Sequence, residues 1–257
     1  MHAPAVRDSY VSPMVRPGFV AARFPSLCFY VRDLAQIARA FFLIKQRSFT
    51  PEQFMNCSYG IVHALESVGC RVVVENVSAL AMAGGPCVIV GNHMSTLETF
   101  VLPWMVLQHT PMTFVIKKSL LKIPFFGAVT AGWDPIAVGR KNPREDLRHV
   151  LEQGQHKLAQ GCSVIVFPQS TRMVRFDPSR FNTIGVKLAR RAQVPVVPLA
   201  LKTDAWGNGK WIKDFGPIDP AKEIRFCFGE PMAITGNGKN QHEQCVAFVR
   251  EKLEQWG

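Results

Sequence analysis

The stretch VIVGNHMSTLETF, residues 88–100, places a histidine and a carboxylate close together in the sequence. His93 follows an apolar run typical of a buried strand, and Glu98 stands five residues later, near the start of a helical pattern. Histidine titrates near neutral pH and can take a proton from a hydroxyl group, while a neighbouring carboxylate fixes its tautomer. We therefore consider His93 as a general base oriented by Glu98.

The spacing of five residues restricts how these two side chains could meet. Along one continuous helix, five residues leave the first and last side chains roughly 140 degrees apart. The pair could meet across a turn: if His93 ends a strand and the helix begins at Ser95, Glu98 can point back toward the imidazole. Ser95 to Glu98 also has the pattern of a capping box, in which Glu98 only stabilises the helix start. This segment alone leaves both interpretations open.

From Arg71 onward, short β-branched runs alternate with segments of helical length, which predicts an α/β fold. We expect a mixed, largely parallel sheet flanked by helices. The predicted strands are RVVVEN, CVIVG, MTFVI, PIAVG, SVIVF, PVVPLAL and IRFCFG, and the predicted helices cover residues 95–108, 143–160, 181–192 and 241–255. Sites in such folds lie beyond the carboxyl ends of the strands. His93, Arg140 and the segment Gln169 to Arg172 all follow predicted strands.

Residues 1–70 have a different pattern, which predicts an amphipathic helical hairpin ahead of an α/β domain at residues 71–257. Apolar residues recur at helical spacing in the first helix, at Tyr30, Leu34, Ile37, Phe41 and Ile44. Thr50 and Gln53 form a capping box that opens the second helix. Such a basic, aromatic hairpin could pack on its own domain or lie in a membrane surface, and both alternatives stay open. Charged residues and prolines interrupt it, so we expect no membrane-spanning segment.

Composition narrows the classes of partner. The chain has 257 residues, 47% of them hydrophobic, and 30 Lys plus Arg against 19 Asp plus Glu give a formal charge of +11. That excess suits anionic partners, but no pattern typical of nucleic-acid recognition is present. The histidines and the seven cysteines lack metal-ligand spacing, so we expect no metal site and reduced thiols. The N-terminus lacks the unbroken apolar core of a secretory signal, which favours the cytoplasmic side of a membrane.

Four segments, taken in order, resemble the motif blocks of the glycerolipid acyltransferase family, the 1-acylglycerol-3-phosphate O-acyltransferases and their relatives. They are NHMSTLE, KKSLLKIPFFG with DPIAVGR, FPQSTR and VPVVPLAL. The corresponding family blocks run approximately N-H-x-x-x-x-D, G-x-x-F-I-D-R, F-P-E-G-T-R and V-P-I-V-P-V. The resemblance covers about Val72 to Gly229, and both the order and the spacing of the blocks agree.

This resemblance implies transfer of a fatty acyl group from acyl-CoA or acyl-carrier protein to the free hydroxyl of a lysophospholipid, most simply lysophosphatidate. His93 would be the general base and Glu98 its orienting acid, without a covalent acyl-enzyme or a cofactor. The motif arginines Arg140 and Arg172 would bind substrate phosphate. Further candidates for that phosphate site are Gln169, Ser170, Thr171 and Lys117, with Lys118 and Lys187 as weaker ones. The enzyme would act at the cytoplasmic face of the membrane as a peripheral or monotopic protein.

The chain departs from the family pattern at four motif positions. Glu98 replaces the usual aspartate, Gln169 and Ser170 replace glutamate and glycine, and Gly139 replaces the aspartate before Arg140. These departures motivate an alternative acceptor, such as a lyso-aminolipid or another lysophospholipid head group. A further alternative, from a different class, is a non-catalytic lipid- or membrane-binding protein in which Glu98 only caps the helix.

Overall fold

The structure is a computed structural model that describes residues 2–169, 171–209 and 214–257. One sheet of eight strands runs through these residues. The strands are β1 (Tyr10–Val11), β2 (Val72–Glu75), β3 (Val88–Gly91), β4 (Met112–Lys117), β5 (Ile136–Val138), β6 (Ser163–Val166), β7 (Val196–Lys202) and β8 (Ile224–Phe228). All seven predicted strands are present. The strand β1 was not predicted.

The order of strands across the sheet is β1-β2-β8-β7-β3-β6-β4-β5. The five strands from β7 to β5 are mutually parallel, so their carboxyl ends meet at one edge. The strand β8 pairs antiparallel with β7 and parallel with β2, while β1 pairs antiparallel with β2. The predicted mixed, largely parallel sheet is therefore confirmed.

Helices flank the sheet on both faces. They are α1 (Phe19–Arg23), α2 (Pro25–Lys45), α3 (Pro51–Ser67), α4 (Ala79–Met82), α5 (Leu97–Val106), α6 (Phe126–Ala131), α7 (Pro143–Ala159), α8 (Ile184–Ala192) and α9 (Lys239–Trp256), with short 3₁₀ helices at Lys118–Lys122 and Pro178–Arg180. The four predicted helices after residue 70 correspond to α5, α7, α8 and α9. The helices α5 and α8 begin two and three residues later than predicted, because turns precede them.

The β-branched strands are buried because side chains alternate between two apolar layers. Ile89 and Ile165 pack in a layer built largely from α3 and α5. Val88, Val90 and Val164 face the opposite layer, to which α7, α8 and α9 contribute. With both faces covered, the central strands form a rigid base for their carboxyl ends.

The predicted N-terminal hairpin corresponds to α2 and α3. The Thr50 hydroxyl accepts the Gln53 N–H, as predicted from the capping box. The segment before the hairpin joins the rest of the chain: β1 pairs with β2, and the Trp104 indole N–H donates to the Pro4 carbonyl at 3.1 Å. The division at residue 70 stays a prediction, and the two parts share one sheet.

The helix α2 has apolar side chains on two faces. Phe29 and Ala40 are buried, and Ile37 and Phe41 are half-buried against neighbouring helices. Four further side chains lie exposed within an arc of about 80 degrees on the other face, and we call them the outer stripe of α2. They are Leu27, Val31, Leu34 and Phe42. Leu34 belongs to the same apolar repeat as Ile37, yet it is exposed, whereas Ile37 packs against the neighbouring helices.

In the described parts of the chain, no helix combines the length and the apolar character that crossing a membrane requires. All seven cysteines are free thiols in the structure. That they are reduced in the cell stays a prediction.

Candidate active site

The turn between β3 and α5 places His93 and Glu98 side by side. His93 Nδ1 lies 2.8 Å from Glu98 Oε1. The strand ends at Gly91 and the helix begins at Leu97, so the chain reverses between the two side chains and Glu98 points back across the turn. This is the geometry that the spacing of five residues required.

Asn92 fixes the position of this turn on the sheet. Its side-chain amide donates to the Leu201 carbonyl at 2.8 Å, and its carbonyl oxygen accepts the Leu201 N–H at 2.9 Å. This double hydrogen bond ties the end of β3 to the end of β7. His93, the next residue, therefore leaves the sheet from an anchored position.

The Glu98 carboxylate is fully buried and accepts several hydrogen bonds besides that of His93. The N–H groups of Met94 and Ser95 donate to Oε1 at 2.7 and 3.0 Å. The hydroxyls of Ser95 and Thr203 donate to Oε2 at 3.0 and 2.7 Å. Burial raises the pKa of Glu98, but the hydrogen bond and charge of His93 and the hydrogen bond of Thr203 outweigh it. The pKa therefore falls below its ordinary value.

Glu98 thus has both of the roles that the sequence left open, as a helix cap and as the partner of His93. It accepts the Ser95 N–H, which is half of a capping box, although α5 itself begins at Leu97 and the Thr96 side chain makes no cap hydrogen bond. It also holds the imidazole of His93. A single buried carboxylate combines the two roles because both donors lie on the same tight turn.

His93 is held through both its ring and its backbone. Its ring stacks on Phe167, with ring centroids 4.7 Å apart and planes 11 degrees from parallel. Its backbone N–H donates to Gln169 Oε1 at 2.7 Å, and its carbonyl accepts the Met173 N–H at 2.9 Å. With Nδ1–H donated to Glu98, Nε2 carries the lone pair. Among the described residues Nε2 has no hydrogen-bond partner, so it can accept a proton.

The predicted phosphate-binding residues of the FPQSTR segment have different positions. Gln169 is buried beside the His93 backbone, and its Nε2 has no hydrogen-bond partner within the described ranges. Thr171 is exposed at the surface. Arg172 Nη1 contacts the Thr96 hydroxyl and lies 2.8 Å from Asp214 Oδ1. Ser170 lies outside the described residues.

Lys117 and Arg140 lie farther along the same edge of the sheet. Lys117 ends β4 and pairs in register with Val138, the last residue of β5. Arg140 follows Val138 by two residues. From the strand order and a spacing of about 4.8 Å, β4 and β5 are roughly 10 and 14 Å from β3. Burial lowers the pKa of Arg140, and the charge of Asp146 opposes this. The structure brings His93, Glu98, Gln169 and Arg172 together around one turn, while Lys117 ends the strand β4 and Arg140 follows β5, two and three places from β3 in the sheet.

Sequence reasoning missed two residues of the cluster. Thr203 follows β7 directly, so the rule that sites lie at the carboxyl ends of parallel strands could have identified it. Asp214 lies in the long connection between β7 and β8, residues 203–223, which we call the excursion after β7. The excursion includes the undescribed residues 210–213, and no motif marks Asp214. In the described part of the chain, no group of His, Cys, Asp and Glu side chains could hold a metal ion. That the protein uses no metal stays a prediction.

Comparisons with known proteins identify the family of the chain and support its fold. Residues 69–202 match the Acyltransferase family, and the chain belongs to that family. It is 33% identical over 172 residues to a 1-acyl-sn-glycerol-3-phosphate acyltransferase of Pseudomonas aeruginosa, covering 66% of this chain and 62% of that protein. An enzyme of the same name from Escherichia coli is 25% identical over 178 residues, covering 66% of each chain.

A solved structure supports the fold. The crystal structure of the 1-acyl-sn-glycerophosphate (LPA) acyltransferase PlsC from Thermotoga maritima superposes with a TM-score of 0.67 and 21% identity, covering 90% of this chain and 93% of that one. The match to the first curated relatives is shorter, spanning about half to 62% of their length. The family resemblance deduced from the four motif blocks is confirmed.

Proposed function

We propose that the protein transfers a fatty acyl group from an acyl thioester to the free hydroxyl of 1-acyl-sn-glycerol 3-phosphate, which forms phosphatidate. The observation that carries the proposal is the His93–Glu98 pair, held at 2.8 Å beside a family-motif arginine. The curated relatives named as 1-acyl-sn-glycerol-3-phosphate acyltransferases support the choice of acceptor.

In the proposed mechanism, His93 Nε2 removes the proton of the acceptor hydroxyl as its oxygen attacks the thioester carbonyl carbon. The new carbon–oxygen bond gives a tetrahedral intermediate. The carbon–sulfur bond then breaks, and the thiolate takes the proton from the imidazolium and leaves as a thiol. Glu98 stays ionised throughout, which stabilises the imidazolium and fixes the tautomer. The reaction needs no metal or other cofactor.

Arg172 is the best-placed group for the acceptor phosphate, since it lies against the turn that carries His93. A guanidinium can bind two phosphate oxygens at once. The same segment holds further candidates: Thr171, Ser170 and Gln169, whose side-chain N–H group has no partner among the described residues. We expect Arg140 and Lys117 to contact phosphates that extend along the sheet edge, including those of acyl-CoA. Acyl-carrier protein is the alternative donor.

We also propose that the protein lies on the cytoplasmic face of the membrane as a peripheral or monotopic protein. The outer stripe of α2 supports this, together with Phe19 and Val20 of α1, because all of these apolar side chains are exposed. Exposed basic residues on the same helices, Arg23, Arg32 and Arg39, suit anionic lipid head groups.

The test of the activity is thiol release from acyl-CoA, and separately from acyl-carrier protein, with a panel of lysolipids. We expect release that depends on lysophosphatidate and is lost in His93→Ala. The matched control is His149→Ala, which removes an exposed histidine of α7 and leaves turnover intact. Turnover that survives in His93→Ala refutes the mechanism. A faster reaction with an aminolipid acceptor than with lysophosphatidate refutes the choice of acceptor.

A further inference from the structure

Asp214 forms an ion pair with Arg172, although Asp214 belongs to none of the four motif blocks. Arg172 Nη1 lies 2.8 Å from Asp214 Oδ1, with the arginine side chain 16% exposed and the aspartate 40% exposed. The two residues are far apart in sequence, so the long excursion after β7 must fold back to the site. An arginine proposed to bind phosphate thus already contacts an anion.

The position of this carboxylate matches that of a ligand oxygen. The Thr96 hydroxyl donates to Asp214 Oδ1 at 3.1 Å and itself contacts Arg172 Nη1. Thr96 lies in the same turn as His93, three residues later. A carboxylate oxygen held by a guanidinium and a hydroxyl makes the contacts that a phosphate oxygen would make there. Asp214 therefore occupies a phosphate-like position at the turn that carries the proposed base.

The backbone around Asp214 is fixed from two sides. The Trp206 indole N–H donates to the Asp214 carbonyl at 3.1 Å. Farther along, the Tyr30 hydroxyl of α2 donates to the Gly216 carbonyl, and the Phe215 ring packs on the Tyr30 ring at 5.5 Å. These contacts hold the carboxylate over Arg172 and anchor its segment on α2.

We propose that Asp214 competes with the phosphate monoester of the acceptor for Arg172, and so sets the affinity of the site for that substrate. This inference rests on the proposed function for the identity of the acceptor. A ligand that needs Arg172 binds only the fraction of molecules in which the arginine is free, and its apparent Kd rises by the inverse of that fraction. Removing the carboxylate frees the arginine.

The test measures binding of sn-glycerol 3-phosphate to the full chain by isothermal titration calorimetry. We expect Asp214→Asn to lower the Kd about threefold to fivefold, the range for a partly exposed ion pair. Asp214→Ala shifts it in the same direction, and Arg172→Ala weakens binding in both backgrounds. Asp134→Asn is the matched control: it removes the same charge from an exposed aspartate that pairs with the partly buried Lys157, before β5 at the opposite edge of the sheet. Its Kd stays at the wild-type value.

An unchanged or higher Kd in both Asp214 variants overturns the inference, because Asp214 then orients Arg172 instead of competing with the ligand. Absence of binding in the wild type and in both variants overturns it as well. The KM for lysophosphatidate is the second measurement, and we expect it to fall with the Kd. Because the calorimetric test needs no turnover, tighter binding in Asp214→Asn without acylation of any lysolipid would refute the proposed function and leave the inference standing.

Discussion

Thr203 donates its hydroxyl to Glu98 Oε2 at 2.7 Å, which joins the end of β7 to the first turn of α5. Both side chains are fully buried, so this bond is shielded from water. The carboxylate that orients His93 is therefore held by its own turn and also by a strand more than a hundred residues later.

Thr203→Val keeps the shape of the side chain and removes this donor. We expect it to destabilise the fold by about 1–2 kcal/mol, because the Glu98 oxygen loses a buried partner. The Thr203 bond lowers the pKa of Glu98, so its loss raises that pKa and flattens the acid side of the profile of unfolding free energy against pH. Thr110→Val is the control, since the Thr110 hydroxyl bonds to Ser163 at the other edge of the sheet. An equal change in the pH profile of Thr110→Val would contradict the assignment of the effect to the Thr203–Glu98 hydrogen bond.

Glu98→Gln tests the charge of the carboxylate. A glutamine can place its amide N–H against His93 Nδ1, which moves the imidazole proton to Nε2 and removes the base. We expect kcat to fall roughly 10³-fold, within the range known for positioned acid–base groups. Glu98→Asp keeps the charge on a shorter side chain, and we expect it to retain more activity than Glu98→Gln. Equal activity in wild type and Glu98→Gln would leave Glu98 only its structural role.

Asp33 of α2 predicts that stability falls as the pH rises, which is the opposite of the effect of Glu98. Its side chain is 1% exposed, its Oδ1 has no partner among the described residues, and burial raises its pKa to about 7. The unfolded carboxyl ionises near pH 3.8, so between these values the folded state binds more protons and stability falls as pH rises.

We therefore expect Asp33→Asn to match the wild type below about pH 4 and to become more stable by on the order of 1–4 kcal/mol above pH 7. Urea unfolding at several pH values measures this, with Asp134→Asn as the exposed control. A constant difference at every pH would mean that Asp33 titrates normally.

The outer stripe of α2 predicts how the protein binds membranes. Val31→Glu with Leu34→Glu places two charges on exposed positions, so the fold should persist while binding to anionic vesicles weakens at least about tenfold. Flotation with vesicles of phosphatidylglycerol and phosphatidylethanolamine gives the bound fraction. Met82→Glu, an exposed apolar residue of α4, is the control. Unchanged flotation of the double variant would exclude this face as the docking surface.

Local patterns predicted most of the fold because each depends on a few neighbouring residues. Runs such as Val88–Val90 can be buried on both faces only as central strands, and all seven such runs form strands. Tyr10–Val11 has only two residues, too few for a periodic pattern, and it becomes a strand because β2 offers a free edge.

The residues of the site also differ in whether local sequence could identify them. His93 and Glu98 were identifiable because five residues and a turn bring them together. Asp214 was not, because its contact with Arg172 depends on how the excursion after β7 folds back over the turn. Nor did periodicity separate the two faces of α2, since apolar residues occupy both and only packing against α3 shows which one is covered.

The outer stripe of α2 also bears on how the acceptor is found. A protein held on a bilayer by these side chains meets lysophosphatidate by lateral diffusion within one leaflet, so the search is two-dimensional. The rate then depends on the mole fraction of lysolipid in the surface, and diluting the vesicles at constant lipid composition leaves the turnover of bound enzyme unchanged. A kinetic constant for the acceptor is therefore properly expressed per unit of membrane area.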